Sequence, residues 1–193
     1  MKPDLSAASL VQLLHQYYPI CLWVDEPGYK ESEQIQRLQR FLEEAGKNTR
    51  VWVGFVQRVH EEFPGSTFWD STLLSHDPCY RLRISLPLPK EAEDVRDELV
   101  CLVSLLAPAY VIYASHALNT GPFAEAWTRY PPLPHAFQPA EARLAALIES
   151  TFGAVRLPND VLFTHVPELA PWTGNVGLGR ARLIDLLFTA DRW

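Results

Sequence analysis

Six histidines, three cysteines and a run of carboxylates carry most of the reactive chemistry in this chain. The histidines stand at positions 15, 60, 76, 116, 135 and 165 without a His-x-x-x-His pair, and neither His-Glu-x-x-His nor Cys-x-x-Cys occurs. A metal would have to draw its ligands from distant segments, because the compact spacings that set imidazoles or thiolates together are missing. Neither a metal nor a cofactor is expected. Cys79, with His76 and Asp77 just ahead of it, has the residue types of a thiol nucleophile and its base. Neighbours in sequence at the start of a strand seldom bring their side chains into line, so these read as ordinary strand residues. The run Gly174-Asn175-Val176-Gly177-Leu178-Gly179 lacks the Lys-Ser/Thr of a phosphate loop and precedes a segment patterned as a strand, not a helix. No helix N-terminus would receive a phosphate there, and the run reads as a flexible turn.

Three functional arrangements remain. A small-molecule enzyme of hydrolase type would have to assemble its site in space from residues such as His60, His116, Asp70 and Cys79. A binding module would use the acidic group Glu91, Glu93, Asp94, Asp97 and Glu98 together with aromatic residues of a neighbouring loop. The plainest reading of the acidic group is the solvated face of a helical connector; the sharper one is a surface for a basic partner. A third possibility is a structural subunit that pairs with itself through a terminal strand.

These residues must be positioned by a core, and its centre is the charge-free stretch Leu99 to Ala117, LVCLVSLLAPAYVIYASHA. About 20 apolar residues can cross a bilayer as a helix. Here Pro108 sits in the middle, Ser104, Ser115 and His116 interrupt, and Asp97 and Glu98 flank the stretch without Lys or Arg anchors beside it. Val100, Val103, Val111 and Ile112 favour a pleated surface, so the spacing predicts two adjacent buried strands with a break at Ala107-Pro108-Ala109. Continuous apolar character, without alternation, requires cover on both faces of the sheet.

The flanking elements follow from periodicity. Leu5, Leu10, Leu13, Leu14 and Tyr17 predict a first helix ending near Pro19, and Ile20 to Val24 a brief strand. Ser32 caps a second helix whose Ile35, Leu38, Phe41, Leu42 and Ala45 share a face, stopping at Gly46. In Arg50 to Phe63, Val51, Val53 and Phe55 alternate as in a strand while Trp52, Val56, Val59 and Phe63 share a helical face. The polar run Gln57, Arg58, His60, Glu61, Glu62 favours a third helix closed by Pro64-Gly65; Ser66 to Cys79 reads as a loop with Phe68 and Trp69 plugging an edge of the core. Tyr80 to Leu88 alternates as a half-buried strand, with Arg81, Arg83 and Ser85 on its open side. Lys90 to Glu98 reads as a charged connector with a helical turn or two. Asn119 to Pro139, with Gly121, five prolines and the aromatics Phe123, Trp127, Tyr130 and Phe137, reads as an irregular excursion. Ala140 to Phe152 predicts a helix ended by Gly153, Leu157 to Gly179 is turn-rich, and Arg180 to Thr189 reads as a terminal strand.

The expected fold is α+β, a small mostly antiparallel sheet with flanking helices in one compact domain spanning 1–193. A hydrophobic content of 48% suits a folded chain, and a net charge of -6 argues against capture of nucleic-acid phosphates. Cys21, Cys79 and Cys101 lack paired spacing and read as reduced and structural. Met1-Lys2-Pro3-Asp4 leads into an amphipathic segment where a signal peptide would have an apolar run, so a cytoplasmic, membrane-free protein is expected.

Three segments together resemble a known class. Asp77-Pro78-Cys79-Tyr80-Arg81-Leu82, then Val103 to Tyr113, then Leu183-Ile184-Asp185-Leu186-Leu187-Phe188-Thr189 are similar to small bacterial immunity-type proteins, encoded beside secreted polymorphic toxins. The resemblance touches the last two-thirds of the chain in patches, and its motifs are structural, so no catalytic residue carries over. It implies a cytosolic binder that blocks a cognate toxin. An acidic surface would then complement a basic toxin domain, with Glu91, Glu93, Asp94, Trp127 and Tyr130 as candidate contacts, since aromatics dominate interface hot spots.

Overall fold

A computed structural model describes residues 3–87, 95–118 and 126–190. In chain order the elements are α1 (Ala7–Leu14), α2 (Glu33–Lys47), α3 (Arg50–Glu62), β1 (Thr67–Asp70), β2 (Cys79–Ser85), β3 (Val95–Ser104), β4 (Ala109–Leu118), β5 (Ala126–Arg129), α4 (Gln138–Phe152), β6 (Val155–Arg156), α5 (Asn159–Leu162) and α6 (Leu183–Leu187). The sheet runs β1-β2-β3-β4-β5 with antiparallel neighbours, and β6 lies parallel to the start of β4. This is the expected α+β fold.

The central stretch folds as its pattern requires. β3 and β4 pair with Leu99 opposite Ala114 and Val103 opposite Tyr110, so successive residues alternate between two buried faces. Leu99, Cys101, Val103, Tyr110 and Ile112 pack with Phe55 and Val59 of α3 and Leu144 and Ile148 of α4. Val100, Leu102, Val111 and Tyr113 pack on the other side with Leu10 and Leu14 of α1, Ile35 and Leu38 of α2, and Leu183, Ile184, Leu186 and Leu187 of α6. Local signals set the covering helices. Ser32 Oγ accepts the Ile35 N–H at 3.3 Å to start α2, and Gly153 ends α4 at a φ of 62°, a left-handed position where a side chain would be strained.

Several expectations are corrected. Ile20 to Val24 forms turns, not a strand: Cys21 takes a φ of 57° and donates its N–H to the Glu168 carbonyl at 2.7 Å. α2 passes Gly46 and ends at Lys47. Within the expected loop Ser66 to Cys79, Thr67–Asp70 pairs with β2, and Trp69 points outward, 62% exposed, with only Phe68 tucked against the core. β2 is buried on both faces; Arg81 lies on the α6 side, where Asp77 (2.6 Å) and Thr189 (2.6 Å) take its guanidinium N–H groups. Asp97 and Glu98 are strand residues of β3, because continuing the hairpin register past Leu99 gives the backbone a partner in β4. Part of the expected excursion 119–139 is β5, which takes up the outer edge of β4 that β6 leaves open. Arg180 to Thr189 holds no long strand. Leu183 and Leu187 are buried outside the alternation of Ile184, Leu186 and Phe188, and Asp185 accepts the Arg182 N–H at 2.8 Å at the N-terminus, so the run forms a buried helix. The terminal strand offered for self-pairing is therefore absent.

Two buried tyrosines on the α6 side separate a satisfied from an unsatisfied hydroxyl. Tyr18 Oη donates to the Leu186 carbonyl at 2.9 Å, whereas Tyr113 Oη is buried without a hydrogen-bond partner among the described residues. Tyr18→Phe is expected to lower unfolding free energy by about 1 kcal/mol and Tyr113→Phe to leave it level or raise it. Urea titration of both variants checks this; a loss in Tyr113→Phe as large as in Tyr18→Phe would refute it.

Candidate interaction surface

The helices cover the middle of the sheet, and its polar rows begin where they stop. One row past the Leu99–Ala114 pair, on the α3/α4 side, Asp97 stands opposite His116 and His116 opposite Trp127. The three side chains form a ladder across β3, β4 and β5. His116 Nδ1 lies 2.7 Å from Asp97 Oδ1, and the imidazole stacks on the Trp127 indole at 5.0 Å and 7°. Arg129, one pleat along the same face of β5, sets its guanidinium 5.1 Å from the Trp127 ring. Trp127 thus contacts both side chains and is still 38% exposed. An exposed indole with two ring contacts to its neighbours loses less side-chain entropy than a free one when a partner covers it.

The opposite face of the same sheet end carries ions. Arg83 Nη1 meets Glu98 Oε2 at 3.0 Å, Ser85 Oγ donates to Glu98 Oε1 at 3.4 Å, and the Arg83 guanidinium sits 5.9 Å from the exposed Trp69 ring. Asp97 and Glu98, expected on a solvated helix, are each committed to a cross-strand partner. Glu91, Glu93 and Asp94 lie outside the described residues. Tyr130 turns inward: its ring meets Phe163 edge-on at 4.8 Å and lies 5.4 Å from Tyr113, so it contributes packing more than open surface.

The residues offered for an enzyme site are only partly brought together. His60 and Asp70 line one open depression of about 570 Å³ with Val53, Val56, Gln57 and Glu61. Both oxygens of Asp70 already accept hydrogen bonds, Oδ2 from Trp52 Nε1 at 2.8 Å and Oδ1 from the Thr72 N–H at 3.0 Å, while the His60 ring lies on Phe68 at 3.9 Å. His116 is engaged in the ladder at the sheet end, and Cys79 is fully buried in the opposite core layer. Burial pushes the Cys79 thiol well up, with the nearby Asp77 carboxylate adding to it, so the thiolate a nucleophile needs is disfavoured. Among the described residues no group of three His, Cys, Asp or Glu is placed to hold a metal, and no helix is long and apolar enough to cross a membrane.

Reading the sequence missed the Asp97–His116 pair, Arg129 and the Arg83–Glu98 bridge. Centring the hairpin turn on Leu105 to Pro108 would have placed Asp97 opposite His116, because antiparallel register follows from the turn. No comparable signal marked β5, whose four residues sit among prolines and glycine. Compared with known proteins, the chain matches no family model, no curated protein and no solved structure.

Thiol chemistry separates the cysteines. Cys21 is exposed, whereas Cys79 and Cys101 are buried and burial pushes Cys101 up to about 12. Titration with a chromogenic disulfide at pH 8 is expected to read one fast thiol in the native protein and three after denaturation. A second fast native thiol would show that Cys79 or Cys101 is reachable.

Proposed function

We propose that the chain is a non-enzymatic, cytoplasmic binding module for a basic protein, and that this partner is a toxin domain of which the chain is the immunity protein. The observation that supports binding best is Trp127, exposed yet in contact with both His116 and Arg129 at the end of the sheet. Preorganised aromatics of this kind anchor interfaces, and a chain of net charge -6 favours encounter with a positively charged partner. The toxin identity rests on the resemblance of the three segments described above.

The tagged chain, used as bait at low and high salt, is expected to retain one stoichiometric basic protein, with retention falling as salt rises. Trp127→Ala should then weaken the complex by about tenfold or more, while Leu178→Ala, an exposed apolar side chain elsewhere, should leave it unchanged. Calorimetry of both variants, with circular dichroism to check folding, reads the difference. Recovery of no partner, or equal binding by Trp127→Ala, would overturn this assignment.

A further inference from the structure

The far edge of β1 carries unpaired backbone, an exposed indole and an acidic depression side by side. Ser71 donates its N–H to the Arg81 carbonyl at 3.0 Å, in line with the register that sets Trp69 opposite Arg83. Antiparallel pairing alternates inward and outward residues, so the N–H and C=O groups of Phe68 and Asp70 point away from β2. Among the described residues nothing pairs with them, since β1 ends the strand order. Edge strands are ordinarily guarded by charge, proline or a bulge. β1, Thr-Phe-Trp-Asp, has Asp70 as its one charge and no proline, and Trp69 is 62% exposed.

The ground beside this edge has a definite chemistry. The Phe68 and Asp70 side chains point to the α3 side, where Val53, Val56, Gln57, His60, Glu61 and Asp70 line the open depression described above. Val53 is 49% exposed, and with Val56 it offers an apolar floor. Glu61 and Asp70 place carboxylates at its rim. Asp70 has two hydrogen bonds already, yet a carboxylate accepts about four, so it can take another donor. An aliphatic stem ending in a cation fits such a surface, the stem on valine and the head on the carboxylates.

We infer that β1 is a docking strand: an extended segment of a basic partner adds to its open edge, placing a Lys or Arg opposite Phe68 or Asp70 into the Val53–Glu61 depression. Because side chains alternate, the partner residue opposite Trp69 faces the other way and covers the indole beside Arg83, which suits an apolar residue. The docking segment therefore alternates basic and apolar residues. The inference rests on the protein-binding reading and names a surface for it.

The probe is a fluorescein-labelled peptide Lys-Val-Lys-Val-Lys-Val, with a Glu-for-Lys counterpart, titrated against the full chain by anisotropy and by amide exchange in NMR. Saturable binding is expected, with exchange at the Phe68 and Asp70 amides slowed about tenfold or more and the Glu peptide about tenfold weaker. Glu61→Lys, a change at an exposed side chain, and Trp69→Ala should each weaken the Lys-Val peptide with unchanged circular dichroism. Unchanged exchange at Phe68 and Asp70, or full binding by Glu61→Lys, overturns the docking strand. Slowing of those amides without peptide, as protein concentration rises, also overturns it and assigns the edge to a second copy. A basic protein captured equally by native chain, Glu61→Lys and Trp69→Ala overturns the docking strand while the binding reading stands. Peptide binding as expected with no basic protein captured supports the docking strand and overturns the toxin-partner reading.

Discussion

A hairpin that is apolar on both faces governs the rest of this structure. Fully burying a Val, Leu or Ile side chain is worth about 1.5–3 kcal/mol, and β3 and β4 send such residues in both directions. One helical layer would leave half of them in water. α3 and α4 therefore close one face, and α1, α2 and α6 close the other. The cost of this arrangement shows at Arg81. Its strand position points it into the α6 layer, where an isolated guanidinium would be strongly unfavourable, and the short bonds to Asp77 and Thr189 make it tolerable.

Cover that is dictated by apolar rows ends where those rows end. Past Leu99 and Ala114 the side chains become Asp97, Glu98, Ser115 and His116, and no helix is needed over them. The sheet end is thereby left to polar ladders that satisfy one another across strands and keep Trp127 at the surface. The same logic leaves β1 at the margin. α3 covers its inner face through Phe68, while its outer backbone and Trp69 lie beyond the reach of either helical layer. The exposed surfaces that matter are thus by-products of where the core stops.

Strong periodicity was legible, and weak or mixed periodicity was not. The two central strands, the capped α2 and the Gly153-ended α4 follow directly from residue spacing, because each buries a long continuous stripe, while α3 has mixed spacing and is settled by its polar run. β1 and β5 are four residues each, too short for a pattern, and exist because neighbouring strands offered them hydrogen bonds. The α6 run alternates as a strand would, but Leu183 and Leu187 are buried too and Asp185 caps the N-terminus through the Arg182 N–H, so burial on all sides permits a helix equally well. For the site, residue types singled out Trp127, His116, His60 and Asp70. They did not show which stood together, since that depends on register and on helix placement.

The commitments of the polar side chains bear on function more than their identities do. Asp70 is held by Trp52 and Thr72, His116 by Asp97 and Trp127, Glu98 by Arg83 and Ser85, and Cys79 by the core itself. These bonds rigidify the surface around Trp127 and the wall beside β1. A rigid surface with exposed indoles and fixed charges loses little entropy when another protein covers it, and that is the property a binding module needs. The same networks therefore strengthen the case for recognition.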